Sequence, residues 1–234
     1  VTGMCNENPE IQIVAGFDLN PVKLNDYPVY AHPMEFKGEA DCVIDFSNPK
    51  ALTNLLTFCK AKGCGAVLAT TGYTAEQLAE IEEASREIRI FKSANMSLGI
   101  NVLLALVKQA AKVLGSTSDI EIVERHHNRK LDAPSGTAKM LFEAVKSARP
   151  ELIEHCGRAG EGKRLPNEVG ISSLRMGNVV GVHEVHICTA NQTLTLRHEA
   201  GSRQMLAEGA ADAAIFMEGK HSGLYTMEEL LEEK

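Results

Sequence analysis

DCVIDFSNPKALTNLLTFCKAKGCGAVLATTGYT, residues 41–74, reads as strand, turn, helix, strand, turn. CVID is a short apolar run closed by an acid and a polar turn, the pattern of a buried strand. KALTNLLTFCKAKG at 50–63 carries apolar residues at helical spacing and closes on Gly63, a residue suited to helix termination. GAVLATTGYT then supplies a strand and a polar turn. Toward the N-terminus, IQIVAGFD from Ile11 repeats the strand-then-acid shape and predicts another buried strand. Toward the C-terminus, Thr74 and Gln77 form a capping-box signature ahead of an amphipathic helix, and IRIFKS follows as a strand. Strands alternating with helices of this length imply right-handed crossovers, hence a doubly wound α/β fold with a parallel sheet and helices on both faces.

After Ser97 the grammar changes. A long apolar helix near 99–115, the strand SDIEIVER and a helix from about Pro134 to Ala148 are followed by CGRAGEGKRLPNE at 156–168, which reads as a mobile loop. Strand-like segments near 169–175, 180–188 and 193–199, joined by short turns, predict a second α+β domain on a mixed or antiparallel sheet. RQMLAEGAADAAIFMEG and TMEELLEEK return to helix.

Composition narrows the function. A net charge of -7 over 234 residues argues against a general nucleic-acid surface. No apolar run is read as approaching the roughly 20 residues that cross a bilayer. The start, VTGMCNENPE, lacks the basic and apolar regions of a signal peptide, so no membrane role and a cytoplasmic location are expected. The six cysteines, Cys5, Cys42, Cys59, Cys64, Cys156 and Cys188, show no paired CxxC grammar and read as reduced, mostly buried thiols rather than metal ligands.

Chemistry concentrates in ERHHNRKLDAPSGTA, residues 124–138. Arg125, His126, His127, Arg129 and Lys130 are or can become cationic, and they fall within six residues at a strand end. The turn PSGT opens a helix whose unpaired amides carry partial positive charge, so Ser135, Gly136 and Thr137 can receive a carboxylate. A His can supply a proton near neutral pH and a Lys can neutralise an anionic substrate. Together they point to addition to a polarised double bond in an acidic metabolite. The competing reading is a solvated strand end and an ordinary capped turn. Adjacent His residues on a strand face opposite ways, so both reach one pocket only if the strand has ended; for the same reason they make a poor metal pair. Asp18, closing IQIVAGFD, has the placement of the acid that binds a dinucleotide ribose, although no G-x-G-x-x-G precedes it and, taken alone, a solvated strand-end acid is the better reading.

From about residue 11 onward the chain resembles the 4-hydroxy-tetrahydrodipicolinate reductase (dihydrodipicolinate reductase) family. ERHHNRKLDAPSGTA is similar to its substrate signature E-x-H-H-x-x-K-x-D-A-P-S-G-T-A. DFSNP, ATTGYT, SANMSLGINV, GRAGEGKR with VGISSLRMGNVVGVHEV, and the tail from HEAGSRQMLAEG resemble further family segments in the family's order. The family's first strand and G-x-x-G-x-M-G loop are not in the chain; Ala69, Met96 and Ser172 replace the common Gly, Phe and His.

The resemblance implies a Rossmann-like dinucleotide-binding domain of residues 1–97 plus 204–234, and a substrate-binding and oligomerisation domain of residues 98–203. It implies NAD(P)H-dependent reduction of a cyclic dicarboxylate in lysine biosynthesis by a homotetramer. His126 would be the catalytic acid and Lys130 its assistant, with His127, Gly136 and Thr137 holding substrate carboxylate. The implied cofactor set is Asp18 at the adenosine ribose, Ser47, Thr70, Thr71 and Gly72 at the nicotinamide half, Asn95, Met96 and Ser97 beside the ring, and Arg203. Asp18 should repel a 2′-phosphate and Leu19 offers no Arg to receive one, so NADH is expected to serve at least as well as NADPH, a preference Lys23 would blur. A semialdehyde dehydrogenase would need a Cys beside the His/Lys cluster, and none is there. A ligand-sensing protein without the phosphate loop is the second alternative.

Overall fold

The computed structural model describes residues 1–23 and 25–234. The chain divides into two compact units, Val1–Ser97 with Gln204–Lys234, and Leu98–Arg203. In chain order the first unit contains α1 (Thr2–Glu7), β1 (Gly16–Phe17), β2 (Val29–Tyr30), β3 (Cys42–Asp45), α2 (Leu52–Lys62), β4 (Gly65–Leu68), α3 (Ala75–Ser85) and β5 (Arg89–Lys92). The second contains α4 (Leu98–Leu114), β6 (Asp119–His126), α5 (Gly136–Ala148), β7 (Ile153–Cys156), β8 (Glu168–Arg175), β9 (Gly181–Cys188) and β10 (Thr193–Ala200). α6 (Gln204–Phe216), β11 (Gly223–Tyr225) and α7 (Met227–Glu232) complete the first.

In the first unit β3, β4, β5 and β11 form a parallel sheet in the order β11-β5-β4-β3. Gly63 ends α2 at φ 67°, and Thr74 and Gln77 make the reciprocal capping box that starts α3. Strand alternation divides the core. Ala66, Leu68 and Ile90 pack with Leu52, Leu56 and Phe58 of α2 and Ile81 of α3. Val67 and Phe91 point the other way, and the Phe91 ring meets Phe216 of α6 at 6.0 Å. Both faces of β4 are therefore buried, which is why GAVL carries no polar residue. Gly209 of α6 lies so close to the Met96 carbonyl that a Cβ there would stand 1.7 Å from its oxygen, so only glycine admits that approach.

IQIVAGFD departs from its expected buried strand. Only Gly16–Phe17 is strand, paired parallel with Val29–Tyr30 in a separate two-stranded sheet. Residues 11–15 alternate between half-buried and exposed and have no ladder partner among the described residues. An apolar, β-branched run becomes strand only where a neighbour accepts its backbone hydrogen bonds.

The second unit is a mixed five-stranded sheet, β10-β9-β6-β8-β7, in which β6 is parallel to β8 and antiparallel to β9. α4 and α5 cover one face: Leu103, Val107 and Ala111, with Leu141, Phe142 and Val145, pack on Ile120, Ile122, Val169, Ile171, Val185 and Ile187. No helix of this unit covers the opposite face among the described residues, where Arg125 and Arg197 converge on Glu184 at 2.9 and 3.2 Å. The helical stretch Leu98–Thr117, 20 residues with mean hydropathy 1.4, is long and apolar enough to cross a membrane, which corrects the reading that no run approaches that length. Its buried stripe lies on the sheet.

Two boundaries also move. β7 was not anticipated, because IEHC is exposed along its whole length and takes strand form only as an edge beside β8. α5 begins at Gly136 rather than Pro134, since Ser135 is its N-cap.

Candidate functional site

In the second unit the site is built on the end of β6. Alternation sends Ile120, Ile122, Glu124 and His126 toward the helices, and the last two are polar. The strand ends at His126, so His127 escapes the alternation and follows the turn.

Glu124 is fully buried and its carboxylate accepts four bonds. Arg175 of β8, which lies in register with His126, donates to both oxygens at 2.8 and 2.9 Å. The Ser135 amide donates to Oε1 at 3.1 Å, and His126 Nδ1 lies 2.6 Å from Oε2. Burial alone would raise this carboxyl, but the bonds from Arg175, His126 and Ser173 outweigh it and hold Glu124 down at about 2. An ionised carboxylate only accepts, so His126 Nδ1 carries the hydrogen and Nε2 is the ring atom left to act on a ligand. That edge of the imidazole faces the backbone of Gly181, where an added Cβ would stand 3.1 Å from Nε2.

His183 of β9 packs edge-on against His126, ring centroids 5.1 Å apart, and its Nε2 meets Ser135 Oγ at 3.1 Å. Burial first, then the positive field of His126, lowers it to about 4. A His whose folded value lies below its unfolded 6.5 takes up its proton more readily in the unfolded chain, so stability falls as pH drops from about 6.5 to about 4. In thermal melts across that window we expect His183→Gln to flatten the decline by up to about 3 kcal/mol; an unchanged slope would assign it to other groups.

The following turn gathers cations. Lys130 Nζ pairs with Asp132 at 2.8 Å, Arg129 donates to Asn178 at 3.0 Å, and Arg203 Nη2 lies 3.4 Å from His127 Nε2. Ser135 caps α5 by accepting from Ala138 N, which leaves Gly136 and Thr137 as the first helical residues, at the positive end of the helix. His126, His127, Lys130, Gly136 and Thr137 thus belong to one strand end and one helix start. Arg203, expected with the cofactor residues, stands beside His127.

The other expected cofactor residues lie in the first unit. Asp45, buried at the end of β3, accepts from Ser47 N at 3.0 Å, from the Ser47 hydroxyl, from Thr70 Oγ1 at 2.8 Å and from Tyr73 OH at 3.5 Å. One carboxylate therefore pins the turns after β3 and β4, and the hydroxyls of Ser47 and Thr70 are directed into the protein. Thr71 is exposed, and Gly72 sits at φ 84°, a conformation that favours glycine. Met96 and Ser97 are each 1% exposed, and Ser97 N donates to Asn95 Oδ1 at 2.9 Å, so this segment offers backbone more than side chain.

Asp18 is exposed at the end of β1, beside a cleft of about 900 Å³ that is also lined by Gly16, Phe17, Asp45, Ser47 and Asn48. The cleft has the size of a cofactor pocket, with an acid for ribose hydroxyls at one wall and a polar turn at another, and these residues fit a nicotinamide dinucleotide. Among the described residues no three His, Cys, Asp or Glu side chains gather as a metal site.

Sequence reasoning missed Glu124, Arg175, His183 and Asp45. Strand parity could have found Glu124, two residues before His126. Arg175 and His183 lie 51 and 48 residues from their partners and carry no local signal.

Residues 1–96 match the family described as dihydrodipicolinate reductase, N-terminus, and residues 99–231 match its C-terminus. A 4-hydroxy-tetrahydrodipicolinate reductase of Caldanaerobacter subterraneus subsp. tengcongensis is 50% identical over 233 residues, 99% of this chain and 92% of that protein. One from Clostridium tetani is 44% identical over 232 residues, 99% and 91% of the two chains. Among solved structures, dipicolinate-bound dihydrodipicolinate reductase from Paenisporosarcina sp. TG-14 superposes with a TM-score of 0.78 at 24% identity, covering 96% of this chain and 91% of that one. A probable dehydrogenase from Thermotoga maritima shares the fold at TM-score 0.61 and 10% identity, covering 97% and 87%.

Proposed function

The chain belongs to the dihydrodipicolinate reductase family, and from that premise we propose how its residues divide the work. It is a nicotinamide-dependent 4-hydroxy-tetrahydrodipicolinate reductase of diaminopimelate and lysine biosynthesis. The reduced nicotinamide, when bound, supplies the hydride; the protein orients its partner, balances charge and delivers a proton.

In this reading His126 is the acid. Its Nδ1–H is held by Glu124 and its Nε2–H protonates the substrate as the ring carbon is reduced, leaving a neutral imidazole that water recharges. Lys130, His127 and Arg203, with the amides that open α5, receive the two carboxylates of the substrate; Lys130 exchanges Asp132 for a substrate oxygen. The observation that carries the assignment is the buried Glu124–His126 pair beside a cationic turn and a helix start. Nicotinamide oxidation followed while the synthase product is generated in place tests it. A folded protein with no rate would favour the ligand-sensing alternative.

Asp18, Ser47, Thr70, Thr71, Gly72 and the backbone of Asn95, Met96 and Ser97 are the cofactor side. Asp18 repels a 2′-phosphate and Leu19 is 91% exposed with no charge to offer, so NADH is used at least as well as NADPH. Asp18→Ser should raise the NADPH/NADH ratio of kcat/KM about tenfold, the effect of about 1.4 kcal/mol of repulsion; an unchanged ratio would remove Asp18 from the ribose site. The uncovered sheet face of the second unit, with Val123, Leu174 and the Arg125–Glu184–Arg197 cluster, supports assembly as a homotetramer, which sedimentation would test. Six free cysteines favour a cytoplasmic location.

A further inference from the structure

The buried carboxylate that holds His126 Nδ1–H is bonded by more than that one ring. Its four donor atoms come from three places: His126 on its own strand, Arg175 Nη1 and Nη2 at the end of β8, and the Ser135 amide at the start of α5. A carboxylate serving only to tie the strands together would need Arg175 and Ser135; the bond to His126 at 2.6 Å adds a donor that is charged in one state of the reaction.

We propose that Glu124 is the positioning residue of the reduction, holding Nδ1–H of His126 so that Nε2 is the ring atom turned to the substrate and the one through which the proton passes. The inference rests on the reading of His126 as the acid. With both carboxylate oxygens filled, the ring can neither flip nor exchange Nδ1 for Nε2 without stranding a buried charge. Each turnover moves one proton: the Nε2–H bond breaks, the substrate gains the proton, Nδ1–H stays with Glu124, and water returns a proton to Nε2.

The other groups around the imidazole are cationic or ionisable bases. His127 and Lys130 follow it in the turn, His183 of β9 packs edge-on against it with His198 of β10 near, and Arg175 sits on the far side of Glu124. Asp132 is held ionised by Lys130. Among the described residues Glu124 is the one acid bonded to the ring, so replacing it with a neutral isostere leaves His126 among bases and cations. Arg175 keeps Glu124 ionised and is part of the same device, whereas His183, pressed neutral against His126, adds shape without charge.

The test uses the full-length protein and Glu124→Gln, followed by kcat against pH and by the imidazole ¹⁵N shifts of His126 in the free enzyme. We expect kcat at neutral pH to fall about 10²–10⁴-fold with KM for the dicarboxylate changed less than about threefold. The basic limb of the kcat profile should move to lower pH, and the ¹⁵N shifts should report loss of the single Nδ1–H tautomer together with earlier deprotonation of His126. Glu124→Asp, which keeps the charge but retracts it, should restore the His126 titration more than the rate, and serves if the Gln variant does not fold. A folded Glu124→Gln with wild-type kcat, pH limb and ¹⁵N titration overturns the inference. His126→Ala run alongside separates the failures. A full rate in that variant overturns the proton-donor assignment and this inference with it; a dead His126→Ala beside a wild-type-like Glu124→Gln overturns this inference alone.

Discussion

On the proposed assignment, His126→Ala is expected to keep its fold and to lose about 10²–10⁴-fold in kcat, the contribution of a positioned general acid. The substitution removes a side chain that is 9% exposed and leaves Glu124 with Arg175 and Ser135, so the carboxylate stays paired and the sheet stays intact. KM should change little, because the carboxylates of the substrate are received by other groups. Lys130→Ala should behave differently, with KM rising and kcat falling, if this cation both binds the substrate and stabilises the charge that develops on it. Coupled nicotinamide oxidation with the wild-type protein and both variants, each checked by circular dichroism, reads these outcomes. A folded His126→Ala at wild-type rate would return the proton to Lys130 or to water.

Arg175→Leu is the substitution with the largest expected effect on stability. It strips two of four bonds from a carboxylate with no solvent contact, and breaking a buried pair from one side costs about 3–5 kcal/mol. The pH dependence gives the sign. Glu124 is held at about 2 against 4.5 in the unfolded chain, so its contribution is fully present above about 4.5 and is lost as pH falls toward about 2. Without Arg175, burial dominates and the carboxyl can take a proton in the folded state. The gap between wild-type and variant should therefore narrow as melts are repeated from pH 7 toward pH 4. A gap that is small at pH 7, or that widens with acid, would mean that Glu124 is not stabilised by Arg175.

Much of this was legible in the order of strands and helices. DCVIDFSNP through GAVLATTG alternates in a way that only a parallel sheet with crossover helices accommodates, and the capping residues Thr74 and Gln77 and the terminator Gly63 appear at their expected places. IQIVAGFD was misread because periodicity reports a strand's tendency and not whether a neighbour is present to pair with it. β7 was missed for the complementary reason: an exposed edge strand needs no apolar alternation, so IEHC gave no signal.

The site was legible where it is local. ERHHNRKLDAPSGTA carries the two His residues, the cations and the helix start within fifteen residues, and the end of β6 at His126 resolves how two neighbouring His residues leave opposite faces. Arg175 and His183 reach the site from β8 and β9 through sheet register, and register is a property of the assembled sheet. Asp45 belongs to the same class, because the Thr70 it holds lies 25 residues away.

The division of the chain sets an order of assembly. The second unit is one uninterrupted stretch, Leu98–Arg203, whereas the first is completed only by α6, β11 and α7, made after it. As the polypeptide leaves the ribosome, the sheet carrying His126, Arg175 and His183 can close while β5 still waits for β11, its edge partner, more than a hundred residues downstream. The nascent chain thus exposes the uncovered edge of β5 and the sheet surface later occupied by α6 until α6 and β11 have been made, an interval open to aggregation and chaperone capture.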